Sequence, residues 1–193
     1  MGEFPILSLL VFIPLIGAGF ILLIRGSKEV VQKSAKNVAL VTSLTAFLLS
    51  LLLWGKFDIS TAAFQFIEKY EWIPAFNISY HLGVDGISIL FVLLTTLLTP
   101  VCILASWNSI KDFMKEYMIT FLILESMMVG MFCSLDMVMF YIFFEAVLIP
   151  MFLIIGVWGG PDRVYASFKL FLYTLLGSIL MLVAIISMYH DAG

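Results

Sequence analysis

Charged side chains are scarce in this sequence. Asp, Glu, Lys and Arg make up 12% of its 193 residues while 63% are hydrophobic, a balance outside the range of water-soluble domains. The net charge of −3 is small, and no basic block marks a nucleic-acid footprint. Cysteine is nearly missing. Cys102 and Cys133 lie inside apolar stretches, fit neither a disulfide framework nor a zinc pattern, and read as packing residues. Polar low-complexity sequence is absent, as are a nucleotide loop, a haem pair, an iron–sulfur spacing and a nucleophile triad. His81 falls in a loop and His190 near the tail, too separate to pair as metal ligands. Electron-transfer chemistry within the chain is therefore not expected. The N-terminus begins acidic and lacks a basic n-region and a small-residue cleavage site, so its apolar run reads as a retained span and not a signal peptide.

What is present in abundance is long apolar sequence. Runs stand at Phe4–Ile24, Val38–Trp54, Gly86–Trp107, Tyr117–Ser134, Met137–Trp158 and Val164–Met188. Each is near the ~20 residues a spanning helix needs, which predicts an all-α membrane protein with six transmembrane helices. Basic residues fall unevenly between the runs. Arg25, Lys28, Lys33, Lys36, Lys111, Lys115, Arg163 and Lys169 lie on one side, against Lys56 and Lys69 on the other. The positive-inside rule then places the odd-numbered connections inside and both termini outside.

The connection 55–85 is not a simple turn. It carries Phe57, Phe64, Phe66, Tyr70, Trp72, Phe76 and Tyr80 around Pro74, which predicts a short hairpin over the outer face with rings at the lipid–water boundary. Small residues Gly17, Ala18 and Gly19 predict close helix approach in the first span. Pro14 and Pro100 free the carbonyls of Leu10 and Thr96. Thr95, Thr96 and Thr99 are placed to bond such carbonyls or carry water.

Three ionisable residues fall within the spans. Counting ~1.5 Å per residue from the inner ends, Lys169 lies about 8 Å deep, Glu125 about 12 Å and Glu145 about 20 Å. Glu145 is the only Asp, Glu, Lys, Arg or His in the run Met137–Trp158. An acid at that depth costs at least ~2.5 kcal/mol on insertion scales, and such residues usually face a bundle interior and mark an ion or proton path. The bland alternative is a neutral acid bonded to a backbone carbonyl such as that of Ala146, which Pro150 leaves free. Glu125, beside Ser126 and near Met127, Met128 and Gly130, reads equally as a helix–helix hydrogen-bonding group. Lys169 reads equally as an anchor that snorkels to the boundary. Asp136, just before the fifth run, reads as a helix cap.

The segments Ser79-YHLGVDGISILFVLLTTLLTPVCILASW-Trp107 and Leu135-DMVMFYIFFEAVLIPMFLIIGVWGGPDRVYASFKLFLYTLLGS-Ser178 resemble the M-type subunit (mitochondrial subunit 4) of respiratory complex I, the proton-pumping NADH:quinone oxidoreductase. Related subunits of cation/proton antiporters and membrane-bound hydrogenases share the general pattern, and a non-catalytic membrane scaffold is a further reading.

The resemblance implies an antiporter-like subunit built from inverted five-helix repeats. On that basis residues 1-116 hold three N-terminal helices with the outer aromatic loop, and 117-193 the first three helices of the proton-translocation repeat. It further implies that Glu145 is the family's fifth-helix glutamate, paired with a lysine on a broken seventh helix beyond these residues. Lys169 and, less directly, Glu125 would support the same path. NADH, FMN, iron–sulfur clusters and quinone are implied in other subunits of the complex, with no cofactor in this chain. The implied partners are the other membrane subunits and the lipid bilayer. The implied location is a bacterial inner membrane, or alternatively the mitochondrial one. The sequence is expected to be the N-terminal part of such a subunit, without activity of its own.

Overall fold

A computed structural model describes residues 5–192. The Phe4 start of the first run, the acidic Glu3 and the terminal Gly193 lie outside the described residues. Among the described residues, six helices are long and apolar enough to cross a membrane: α1 Ile6–Leu23, α2 Lys28–Lys56, α3 Ser88–Ala105, α4 Met114–Cys133, α5 Met137–Trp158 and α6 Arg163–Ala192. The chain is a multi-pass helical membrane protein. The fifth run becomes a helix residue for residue, because Asp136 caps its start and Gly159 follows its end.

The second helix corrects one expectation. Residues 28–36 were expected in a connection, yet α2 begins at Lys28, with Ser27 extended before it and Glu29 in its first turn. Lys, Glu, Gln and Ala there are good helix formers. Its 29 residues reach about 43 Å, well beyond a ~30 Å hydrocarbon core, so the basic first turns extend past it.

Close packing follows from small residues. Ala35, Ala39, Ser43, Ala46 and Ser50 are all buried along one face of α2, the pattern that lets helix backbones approach without a hydrophobic driving force. A Cβ added at Gly17 of α1 would sit 2.5 Å from Thr42 of α2, whereas one at Gly19 would meet nothing within 4 Å. Only Gly17, then, serves the expected close approach. Hydroxyls join the helices as well: Ser50 Oγ and Thr96 Oγ1 are 2.7 Å apart, and Ser126 Oγ of α4 donates to the Val11 carbonyl of α1 at 2.6 Å. Thr99 donates to the Thr95 carbonyl at 3.0 Å and Thr95 to that of Phe91 at 2.8 Å. These are carbonyls one turn back, and not the one Pro100 frees.

The aromatic connection is an antiparallel hairpin, β1 Gln65–Ile73 and β2 Ile78–Val84. Pro74 opens its tip, and Asn77 turns it with a φ of 54°. The hairpin seats on one end of the bundle. Leu135 N–H donates to the His81 carbonyl at 2.9 Å, and Leu82 bridges to Ser134. Its rings divide. Phe64, Tyr70, Trp72 and Phe76 are exposed, but Phe57, Phe66 and Tyr80 pack against the core beneath, which corrects the expectation that all of them lie at the boundary. That core joins Leu7 and Leu10 of α1 with Leu82, Val84, Val129 and Cys133. A second core at the opposite end gathers Ile21, Ala35, Ile103, Met118 and Leu122. α6 leans on α5 and leaves Val164, Phe168, Leu172, Leu176 and Leu180 exposed.

Candidate functional site

Two local features fix α5. Asp136 Oδ1 accepts from Val138 N–H at 2.9 Å and Met139 N–H at 3.1 Å, while its Oδ2 accepts from Ser79 N–H of the hairpin at 3.0 Å. One carboxylate thus caps the helix, as expected, and ties its start to β2. Gly130 of α4 lets the Phe143 ring lie flat on its backbone, where an added Cβ would overlap the ring. The residues between these anchors place Glu145 about 12 Å along the helix.

Glu145 is half-buried, and its Oε1 is enclosed without a hydrogen-bond partner. Its polar neighbours lie toward α6. Tyr141 lies one turn earlier on the same face, with both Glu145 and Ser178 of α6 as polar neighbours. Ser178 Oγ donates to its own Leu175 carbonyl at 2.9 Å. Glu145 stands about 20 Å from the end of α5 and Ser178 about 22 Å from the start of α6, so the two lie at a similar height.

The other two sequence-derived residues are elsewhere. Glu125 of α4 is 1% exposed, with both carboxyl oxygens enclosed and unpartnered. It lies in the groove between α3 and α4 with Thr95 and Thr99, on a different seam from Glu145. Lys169 is exposed, its Nζ 5.6 Å from the Tyr165 ring centre, a cation–π contact with its own helix. It sits about 14 Å along α6 from Ser178. The three ionisable residues therefore do not converge within these helices. Among the described residues, no group of three or more His, Cys, Asp or Glu side chains is placed to hold a metal ion.

The arrangement has relatives. The family model for the amino terminus of NADH-ubiquinone oxidoreductase chain 4 matches residues 19–135. The chain belongs to this family. A second model, the membrane domain of NADH:quinone oxidoreductase and Mrp antiporters, matches residues 134–193. NADH-quinone oxidoreductase subunit M of Rhodobacter capsulatus is 53% identical over 97% of this chain and 36% of its own length. NADH-ubiquinone oxidoreductase chain 4 of Marchantia polymorpha is 49% identical over 97% of this chain and 37% of its own. Among solved structures, respiratory complex I from Thermus thermophilus with bound NADH contains a chain that superposes with a TM-score of 0.77 at 26% identity, covering 93% of this chain and 35% of that one. The chain spans a little over a third of the length of the chain 4 and subunit M relatives it matches.

In this chain 4 family member, two polar residues near Glu145 were not singled out by the sequence. Tyr141 was legible as the residue one turn before Glu145, a spacing that puts the two on one helix face. Ser178 had no signal of its own, since its meeting with Glu145 depends on how far α6 slides along α5.

Proposed function

We propose that the chain is the N-terminal part of a membrane subunit of proton-pumping NADH:quinone oxidoreductase, in which Glu145 takes up and releases protons as quinone is reduced elsewhere in the complex. The names of the relatives, subunit M and chain 4 of that enzyme, support the assignment. The observation that carries the role of Glu145 is its enclosed, unpartnered Oε1 at the α5–α6 seam, beside Tyr141 and Ser178. An approaching positive charge favours the carboxylate and a departing one the acid. A charge that moves with the redox cycle therefore loads and unloads the site.

In this reading α4, α5 and α6 open the proton-translocation repeat, and Lys169 acts as a supporting charge. NADH, FMN, iron–sulfur clusters and quinone belong to other subunits, and the neighbouring membrane subunits are the partners. The eight basic residues on one side of the bundle, against two on the other, support an orientation with both termini outside. The membrane is a bacterial inner membrane, the mitochondrial inner membrane being the alternative. The test is Glu145→Gln in a full-length subunit of the assembled complex. The complex is expected to assemble while coupled quinone reduction and pumping fall steeply. Normal rates of both in the assembled variant would refute the role.

A further inference from the structure

Glu125 is used by nothing described so far. It is 1% exposed, neither carboxyl oxygen has a partner, and it forms no ion pair among the described residues. Ser126, its neighbour, is already engaged with the Val11 carbonyl, so the bond that ties α4 to α1 is made without Glu125. Glu125 lines a groove of about 280 Å³ between α3 and α4, shared with Thr95, Thr99 and Cys102 and walled by Leu98 and Met128. Both threonine hydroxyls spend their protons on carbonyls of their own helix. What they present toward the groove is lone pairs, which accept and cannot donate.

An ionised carboxylate here would be enclosed by apolar walls with neither a donor nor a cation, an arrangement that buried charge does not tolerate. A protonated carboxyl matches the same surroundings, because its O–H is the one donor among several acceptors. The groove is also roomy enough for a water bridging the acid to the threonines.

We propose that Glu125, with Thr95 and Thr99, forms a second proton-binding site in the α3–α4 groove, separate from Glu145, with Glu125 held as the neutral acid. The ligand class is the proton, carried by the acid or by a water beside it. A neutral acid reached through an apolar groove also reacts with a hydrophobic carbodiimide. The acid gives its proton to one carbodiimide nitrogen and its oxygen bonds the central carbon, forming an O-acylisourea. That adduct rearranges to the N-acylurea with the whole reagent retained and nothing released.

The site does not depend on Glu145 taking part in pumping, and its test separates the two. In the assembled complex with a full-length subunit, infrared spectra of wild type and Glu125→Gln are expected to differ by the carbonyl stretch of one protonated acid. Glu145→Gln is expected to leave that band in place. Thr95→Val and Thr99→Val, which keep side-chain shape while removing an acceptor, are expected to shift it toward the frequency of a free acid. Treatment with dicyclohexylcarbodiimide is expected to add the full reagent mass to the peptide bearing Glu125, whereas a water-soluble carbodiimide leaves it unmodified. A protonated-acid band unchanged by Glu125→Gln, or labelling by the water-soluble reagent in preference to the hydrophobic one, would overturn the proposal.

Discussion

Glu68 of the hairpin accepts the Leu7 N–H of α1 at 2.8 Å. The same carboxylate takes the Ser8 N–H at 3.1 Å and the Ser8 hydroxyl, whose oxygen lies 2.8 Å from the Tyr80 hydroxyl. α1 begins after Pro5, which supplies no side-chain cap. A residue some sixty positions away thus satisfies the orphan N–H groups of its first turn and sets a negative charge against the positive end of its dipole. The membrane end of α1 and the hairpin are one structural unit.

Replacing Glu68 by Ala is therefore expected to cost about 0.5–2 kcal/mol, the range for losing a helix N-cap, with Glu68→Gln milder because one acceptor oxygen remains. Thermal unfolding of the purified complex, with amide exchange at Leu7 and Ser8, checks this. Unchanged protection at those amides would show that Glu68 does not hold the helix start.

Gly17 and Gly19 look equivalent in the sequence and differ in the fold. Gly17→Ala pushes a methyl into Thr42 of α2, and overpacking of this kind costs about 1–3 kcal/mol. Gly19→Ala meets open space and gains up to about 1 kcal/mol of helix propensity. Parallel melting curves of the two variants are expected to move in opposite directions.

The His81 imidazole is held below its ordinary value of 6.5, first by burial and then by the charge of Lys69, with Asp136 acting the other way. Lys69 is its cross-strand partner. The folded value lies below the unfolded one, so the hairpin keeps its full contribution above 6.5 and loses it as pH falls through the folded value. Amide protection across β1 and β2 is expected to be flat at neutral and alkaline pH and to decline on acidification. His81→Asn is expected to remove that decline.

How much of this was legible beforehand divides along one line. The six helices, the cap at Asp136 and the hairpin around Pro74 follow from local sequence, because span length, capping chemistry and turn residues act within a few positions. The extent of α2 was misread because its basic first turns look like a connection, although their intrinsic preference is helical. Glu68 was not singled out, since a cap supplied from another element has no local signature. The facing of Glu125, Glu145 and Lys169 was equally hidden. Helix rotation is set by contacts such as Gly130 with Phe143 and Gly17 with Thr42, which depend on two chain positions at once.

Tyr141 and Ser178 test the neighbourhood of Glu145. As positioning residues, Tyr141→Phe and Ser178→Ala are expected to slow coupled turnover by up to about tenfold, roughly 1.4 kcal/mol, without changing the KM for quinone. They are also expected to displace the pH profile of turnover, which loss of packing alone would not do. An unchanged profile with slowed turnover would assign them a structural role only.

The central claim is that one carboxyl midway along α5 changes its protonation during energy conversion. Time-resolved infrared difference spectra of the assembled complex, started by NADH and compared between wild type and Glu145→Gln, test it most directly. A carboxyl band that rises or falls in step with quinone reduction is expected in wild type and is expected to be missing from the variant. A difference spectrum identical in the two would contradict it.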